Sequence, residues 1–210
     1  MSCGEVSAID LSGKFIVFEG LDFTGKSTQV RLLSKRLEEL GIPVVCSQEP
    51  GGTTIGEKIR TLLLTPEHDK MLPLSELLLF MVSRAQHTKE VICPALQEGR
   101  TVISSRYRLS SLAYQGHGRG LDLDLIRSLN EHATKRRKAD VTLLIDIPAE
   151  TALARKGRDV DRIEREDLAF YKRVREGFLS SIAGDPSAHV LDGTMSIPKI
   201  ASRVADILGI

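Results

Sequence analysis

Tryptophan is absent from this sequence, and phenylalanine and tyrosine bring the aromatic share to only 4%. A surface that stacks unpaired bases needs aromatic platforms, so that class of nucleic-acid binder is not expected. Neither sign of charge dominates: 29 Lys and Arg stand against 28 Asp and Glu, a net charge of +1. A general attraction to nucleic acid or to an anionic membrane is therefore not expected either. Cysteine is scarce. Cys3, Cys46 and Cys93 are far apart, odd in number and fit no metal-ligand spacing, which suggests a reducing compartment and small apolar fillers. No apolar run approaches the length of a membrane span. Residues 1–13 carry Glu5 and Asp10 without an early basic cluster or an apolar centre, and read as a short flexible leader, not a secretory signal. The expected location is the cytoplasm. Internal repeats and low-complexity tracts are also missing, and 210 residues suit one domain, 14–210, with a mobile insert.

What is present begins with Gly20-Leu21-Asp22-Phe23-Thr24-Gly25-Lys26-Ser27, the pattern G-x-x-x-x-G-K-[ST]. The apolar run Phe15-Ile16-Val17-Phe18 precedes it and reads as a buried parallel strand. Val30, Leu33, Leu37 and Leu40 follow at helical spacing. Glycines let backbone N–H groups curl around a polyphosphate, and the positive end of the next helix points into the same nest. Lys26 supplies a cation for the β- and γ-phosphates, and the Ser27 hydroxyl is placed to coordinate Mg²⁺. The segment Gly20–Ser27, with Thr28 after it, is the expected ATP-binding loop. A bare glycine-rich turn would need neither Lys26 nor Ser27.

Five short apolar runs read as strands: Lys14–Glu19, Pro43–Ser47, Thr101–Ser104, Val141–Asp146 and His189–Leu191. Helical patterns separate them, including a long helix over Ser75–Glu98 and a final one over Ile197–Leu208. Strands alternating with helices predict an α/β fold, a parallel sheet covered on both faces. Ligands of such sheets bind beyond the carboxyl ends of the strands. There the sequence places the segment Gln48–Thr54, then Ser105-Arg106-Tyr107 and Ser110–Gly116, all turn-like, and a charged, glycine-broken stretch from Arg155 to Glu164 that reads as a lid. Arg84, Arg106 and the trio Arg155, Arg158 and Arg162 thus gather around one nucleotide site, with Phe80 one turn before Arg84. Singly, each arginine suits a solvated surface and Phe80 suits the core. Only their joint pattern points to a site.

Together these segments resemble the thymidylate kinase family, bacterial type. The resemblance runs from about Phe15 to Leu208 and is carried by Phe18-Glu19-Gly20-Leu21-Asp22, Glu49-Pro50-Gly51-Gly52-Thr53, Ser110–Gly116 and Asp161-Arg162-Ile163-Glu164. It implies a three-layer P-loop NTPase fold with a five-stranded parallel sheet and a lid over about 155–166. It also implies a homodimer packed through helices, and ATP-dependent phosphorylation of dTMP to dTDP with Mg²⁺, feeding dTTP synthesis. The implied roles are specific. Phe80 would stack on thymine, Arg60 would sit near the base's carbonyl edge, and Ser111 and Gln115 would hydrogen-bond the base. Tyr114 would lie against the sugar, with Asp22 and Glu49 bordering the sugar and the acceptor phosphate. Arg84 and Arg106 would hold that phosphate. Lys26, Arg106 and the lid residues Arg158 and Arg155 would stabilise the transferring group, with Arg162 partly occupied by Glu164 and Asp161.

The acceptor so implied would be an anionic phosphate oxygen, so no general base would be required, and the task would be to bring two anions together. Lid closure would also exclude water and suppress ATP hydrolysis. Phe23 occupies the P-loop position where some relatives carry arginine, which assigns the catalytic arginine to the lid. Two departures stand out. Ser105 replaces the usual aspartate before Arg106-Tyr107, and Gln48 replaces the usual arginine before Glu49. A nucleotide-binding protein with little catalysis, or a kinase for another nucleoside monophosphate, stays open as an alternative.

Overall fold

The structure is a computed structural model that describes residues 11–158 and 160–210. Cys3, Glu5, Asp10 and most of the expected leader, with Asp159 of the expected lid, lie outside the described residues. Strand β1 (Phe15–Glu19) is buried along its whole length. Phe15 and Val17 pack on one side of the sheet and Ile16 and Phe18 on the other. Such a run shows no polar alternation because both of its faces are covered.

The other strands are β2 (Val44–Gln48), β3 (Thr101–Ser105), β4 (Val141–Asp146) and β5 (Ala188–Asp192). All pair in parallel in the order β2-β3-β1-β4-β5. The α/β architecture and the five-stranded parallel sheet are therefore those expected. On one face α1 (Lys26–Glu39) and α9 (Ile197–Leu208) set Leu33, Leu37, Ile200 and Val204 against Ile16, Phe18, Leu143 and Ile145. On the other face α8 (Leu168–Ile182) sets Tyr171, Val174 and Phe178 against Leu21, Leu144 and Ile147. Each of these buried side chains contributes about 1.5–3 kcal/mol of transfer free energy.

Two expectations need correction. The long helix over Ser75–Glu98 is interrupted. Helix α3 (Pro73–His87) passes into a wider π-helical turn at Thr88–Ile92 before a short α4 (Cys93–Gln97). Pro94 has no N–H to give the Glu90 carbonyl, and its ring crowds that carbonyl, so the helix widens just before it. The segment after β3 is not turn-like. It forms α5 (Arg108–Ser111) and a π-helical stretch over Leu112–Gly118. Its glycines serve close packing: a Cβ on Gly118 would lie 2.7 Å from the Phe170 ring, and one on Gly116 2.4 Å from Leu123.

The remaining helices are α2 (Thr54–Leu64), α6 (Leu123–Thr134) and α7 (Ala149–Ala154), and α3 packs between α2 and α6. Register then fixes the site. Phe18 and Gln48 both pair with Ser105, and Glu19 pairs with Leu144. The carboxyl ends of the central strands are level, and their loops open on one side. No helix among the described residues is long and apolar enough to cross a membrane.

Candidate active site

The loop after β1 is held open by backbone geometry. Gly20 sits at φ +136°, and a Cβ there would lie 2.4 Å from the Ile145 carbonyl oxygen, so no side chain fits. Gly25, left-handed at φ 89°, starts α1 and places Lys26 and Ser27 in its first turn. The first N–H groups of a helix have no partner within it and suit an anion. Lys26 Nζ donates to the carbonyls of Gly20, at 3.2 Å, and Leu21. Burial, then the neighbouring Arg106 charge, pushes its ammonium down to about 7 against the pull of Asp22 and Glu19. An incoming polyphosphate would favour the charged form again.

Two cavities flank this loop. One, of about 440 Å³, is lined by Asp22, Phe23, Gly25, Lys26, Ser27 and Thr28, and also by Gln48, Ser105 and Arg155. The other, of about 120 Å³, is lined by Asp22, Glu49, Arg60, Phe80, Arg106, Ser111, Tyr114 and Gln115. Asp22, Glu49, Arg60, Arg106 and Glu164 belong to both walls, so the cavities meet at a charged partition.

Arg106 dominates that partition. It leaves β3 at φ +75°, a conformation that costs a non-glycine residue roughly 1–3 kcal/mol and persists where the surroundings impose it. Its amide donates to the Phe18 carbonyl at 2.8 Å. Its guanidinium donates to the Gly20 carbonyl at 3.0 Å, to Ser110 Oγ and Tyr114 Oη at 3.1 Å each, and to Asp22. Tyr114 in turn donates to Asp22 Oδ2 at 2.7 Å. Burial alone would raise the Asp22 carboxyl, but the charges of Arg106 and Lys26 and the Tyr114 hydroxyl outweigh it and hold it below the usual carboxylate range. Behind them Glu19, fully buried, accepts from the Tyr107 amide at 2.9 Å and from Ser110 Oγ at 2.6 Å. Burial raises its carboxyl despite those bonds.

Arg84 stands apart from the other expected substrate contacts. It is 1% exposed and lines neither cavity. Its Nε donates to Glu49 Oε2 at 2.6 Å, Nη1 to Asn130 Oδ1 at 2.7 Å and Ser111 Oγ at 2.8 Å, and Nη2 to the Tyr107 carbonyl at 2.8 Å. Glu49 Oε1 lies 2.9 Å from His87 Nδ1. Burial pushes the Glu49 carboxyl up, and Arg84 and His87 more than reverse that, leaving it low.

The arginines after α7 divide. Arg155 is exposed, lines the P-loop cavity and donates to the Gly193 carbonyl at 3.3 Å. Arg158 is exposed and lines neither cavity. Arg162 is not held by Glu164 and Asp161 as expected. It turns inward, donates to Glu76 Oε2 at 2.6 Å and to the Leu63 carbonyl at 2.9 Å, and is 7% exposed. Asp161 instead caps its own turn through the amides of Ile163 and Glu164, at 2.8 Å each. A short carboxylate bonds the nearest N–H groups, and a long guanidinium is free to reach a deeper partner.

Glu76, His87, Arg119 and Asn130 were missed. A signal existed for two of them. Glu76, Phe80 and Arg84 recur every four residues, and His87 follows Arg84 by three, so one face of α3 carries them all. Arg119 and Asn130 had no such signal, because their partners are remote in sequence.

A phosphate cradle and a second cavity joined at a wall of paired charges make this chain a P-loop phosphotransferase. The thymidylate kinase family model matches residues 18–204. A thymidylate kinase of Carboxydothermus hydrogenoformans is 50% identical over 94% of this chain and 98% of its own length. One of Pelotomaculum thermopropionicum is 44% identical over 93% and 96%. A crystal structure of thymidylate kinase from Ehrlichia chaffeensis superposes with a TM-score of 0.80 at 34% identity, covering 95% of this chain and all of that one. The chain belongs to the thymidylate kinase family.

Proposed function

We propose that this protein transfers the γ-phosphoryl group of ATP to dTMP, with the two nucleotides meeting end to end at the wall shared by the two cavities. That wall carries the reading: a transfer between two anions needs positive charge where they meet, and Arg106 and Arg60 stand there. Phe80, half-buried on the wall of the smaller cavity, offers a ring to the base, with Ser111 and Gln115 at its polar edge. Tyr114 and Asp22 border the sugar. Arg106 grips the acceptor phosphate, and its planar fork suits paired phosphate oxygens. Arg84, with its nitrogens engaged, fixes Glu49 and Ser111 from behind. Lys26 reaches the donor phosphates, and Arg155 and Arg158 close over them as part of a lid over about 155–166.

Among the described residues, no cluster of carboxylates, histidines or cysteines could cage a metal alone. The exposed Ser27 hydroxyl at the start of α1 suits Mg²⁺ that arrives on the nucleotide, since that ion keeps waters and phosphate oxygens as ligands. Bound there, Mg²⁺ neutralises charge on the β- and γ-phosphates.

A homodimer is part of the same reading. Leu74, Leu78 and Val82 form an exposed stripe along α3, with Leu62 of α2 and Leu125 of α6 on the flanking helices. The free thiols Cys46 and Cys93 suit a reducing cytoplasm.

The test is a coupled ADP-release assay with ATP–Mg²⁺ against dTMP, dUMP, dCMP, dGMP and thymidine. Turnover of dTMP well above the others supports the reading. ATP binding without turnover of any acceptor contradicts it.

A further inference from the structure

Glu76 stands on α3 one turn before Phe80, 1% exposed, and lines neither cavity. Its Oε1 accepts from Gln115 Nε2 at 2.8 Å and from Arg119 Nε at 3.3 Å. Its Oε2 accepts from Arg162 Nη2 at 2.6 Å and from Arg119 Nη2 at 3.2 Å. Burial raises this carboxyl, but Arg119, Gln115 and Arg162 outweigh burial and hold it below the usual range, so it is ionised at neutral pH.

An ionised carboxylate has no hydrogen to donate. Gln115 must therefore turn its NH₂ toward Glu76. Its Oε1, which has no hydrogen-bond partner among the described residues, is left for the cavity that Gln115 lines. Ser111 carries the complementary state: its Oγ accepts from Arg84 Nη1 at 2.8 Å, which leaves the hydroxyl hydrogen to donate. The polar edge of the cavity thus sets a fixed acceptor beside a donor. A pyrimidine with an N3–H and a 4-carbonyl satisfies both. One with a bare N3 and a 4-amino group presents the reverse pattern.

We propose that Glu76 is a positioning residue for base selection: by locking the Gln115 amide, it makes the pocket take 4-oxo pyrimidines and refuse 4-amino ones. Arg119 and Arg162 maintain the lock by keeping the carboxylate charged. The inference rests on the dTMP-kinase reading above and adds to it the residue that decides which way a glutamine faces.

The test compares wild type, Glu76→Gln, Gln115→Ala and the double variant, each assayed for kcat/KM with dTMP and with dCMP. A glutamine at position 76 can accept or donate, so the Gln115 amide is released in either orientation. The dTMP-to-dCMP ratio is expected to fall about tenfold in Glu76→Gln, the size of one net hydrogen bond. In the Gln115→Ala background Glu76→Gln is expected to leave the ratio unchanged. An unchanged ratio in Glu76→Gln overturns the inference, as does an equal fall in both backgrounds, which would place the effect in packing. Wild type inactive on dTMP overturns the functional reading instead. Should Glu76→Gln not fold, the wild type still decides by NMR. A scalar coupling across the hydrogen bond from the N3–H of bound dTMP to Gln115 Cδ is expected, and hydrogen-bonding of the Gln115 amide protons to the base overturns the proposal.

Discussion

Arg84 Nε lies 2.6 Å from Glu49 Oε2, and both side chains are buried. Truncating one member of such a pair leaves the other charge buried and unpaired, at a cost of about 3–5 kcal/mol. Arg84→Ala is expected to lose that much unfolding free energy in urea titrations at neutral pH. The sign with pH follows from the low Glu49 pKa. Its stabilisation is fully present above the ordinary carboxylate pKa and is lost as pH falls through the folded value. A wild-type urea midpoint in Arg84→Ala would contradict the account.

Lys26 gives a slope of the same sign in a higher pH window. Its folded pKa is about 7, below the ordinary 10.5. Between those values the unfolded chain binds more protons, so the Lys26 contribution to stability rises with pH from about 7 to about 10.5. Binding of ATP–Mg²⁺ at pH 8 should then take up a proton as the ammonium recharges. Calorimetry in buffers of different ionisation enthalpy reads that uptake, which Lys26→Met should abolish.

Arg106→Ala is expected to lower kcat about 10³-fold or more, in the range of a lost transition-state arginine. Arg106→Lys should recover little, because the fork to Gly20, Ser110, Tyr114 and Asp22 is lost while the charge remains. Circular dichroism and steady-state turnover on the same preparations separate folding from chemistry.

Ser105 lies beside Gln48 in register, and both line the cavity that holds Lys26 and Ser27. Ser105→Asp brings a carboxylate to that cavity. It is expected to lower the Mg²⁺ concentration that gives half-maximal rate, measured by Mg²⁺ titration at fixed ATP. An unchanged or raised requirement would show that the serine costs the metal shell nothing.

The apolar stripe on α3 gives a prediction about assembly. Leu78→Glu and Val82→Arg together are expected to convert a dimer to a monomer in sedimentation velocity, because charges cannot be left at a dry helix interface. Wild type sedimenting as a monomer would end the dimer proposal.

The sheet was legible because its signal is local. A strand such as β1, buried on both faces, must be apolar throughout, and Gly20, Gly25, Lys26 and Ser27 announce a phosphate cradle by themselves. The smaller cavity was legible in part: Phe80, Ser111, Tyr114 and Gln115 do share one wall. The helical form of 108–118 was hidden, because its glycines look like turn residues until Phe170 and Leu123 are seen against them.

The sequence by itself determined the fold and the phosphate loop, since hydrophobic periodicity and backbone freedom act over a few residues. Tertiary structure alone decided which charges line the cavities and which pair inside the protein. Arg84 and Arg162 read like the other arginines, yet burial joins them to Glu49 and Glu76, 35 and 86 residues away. A guanidinium is drawn to whichever carboxylate shares its low-dielectric surroundings, and only the folded chain fixes that choice.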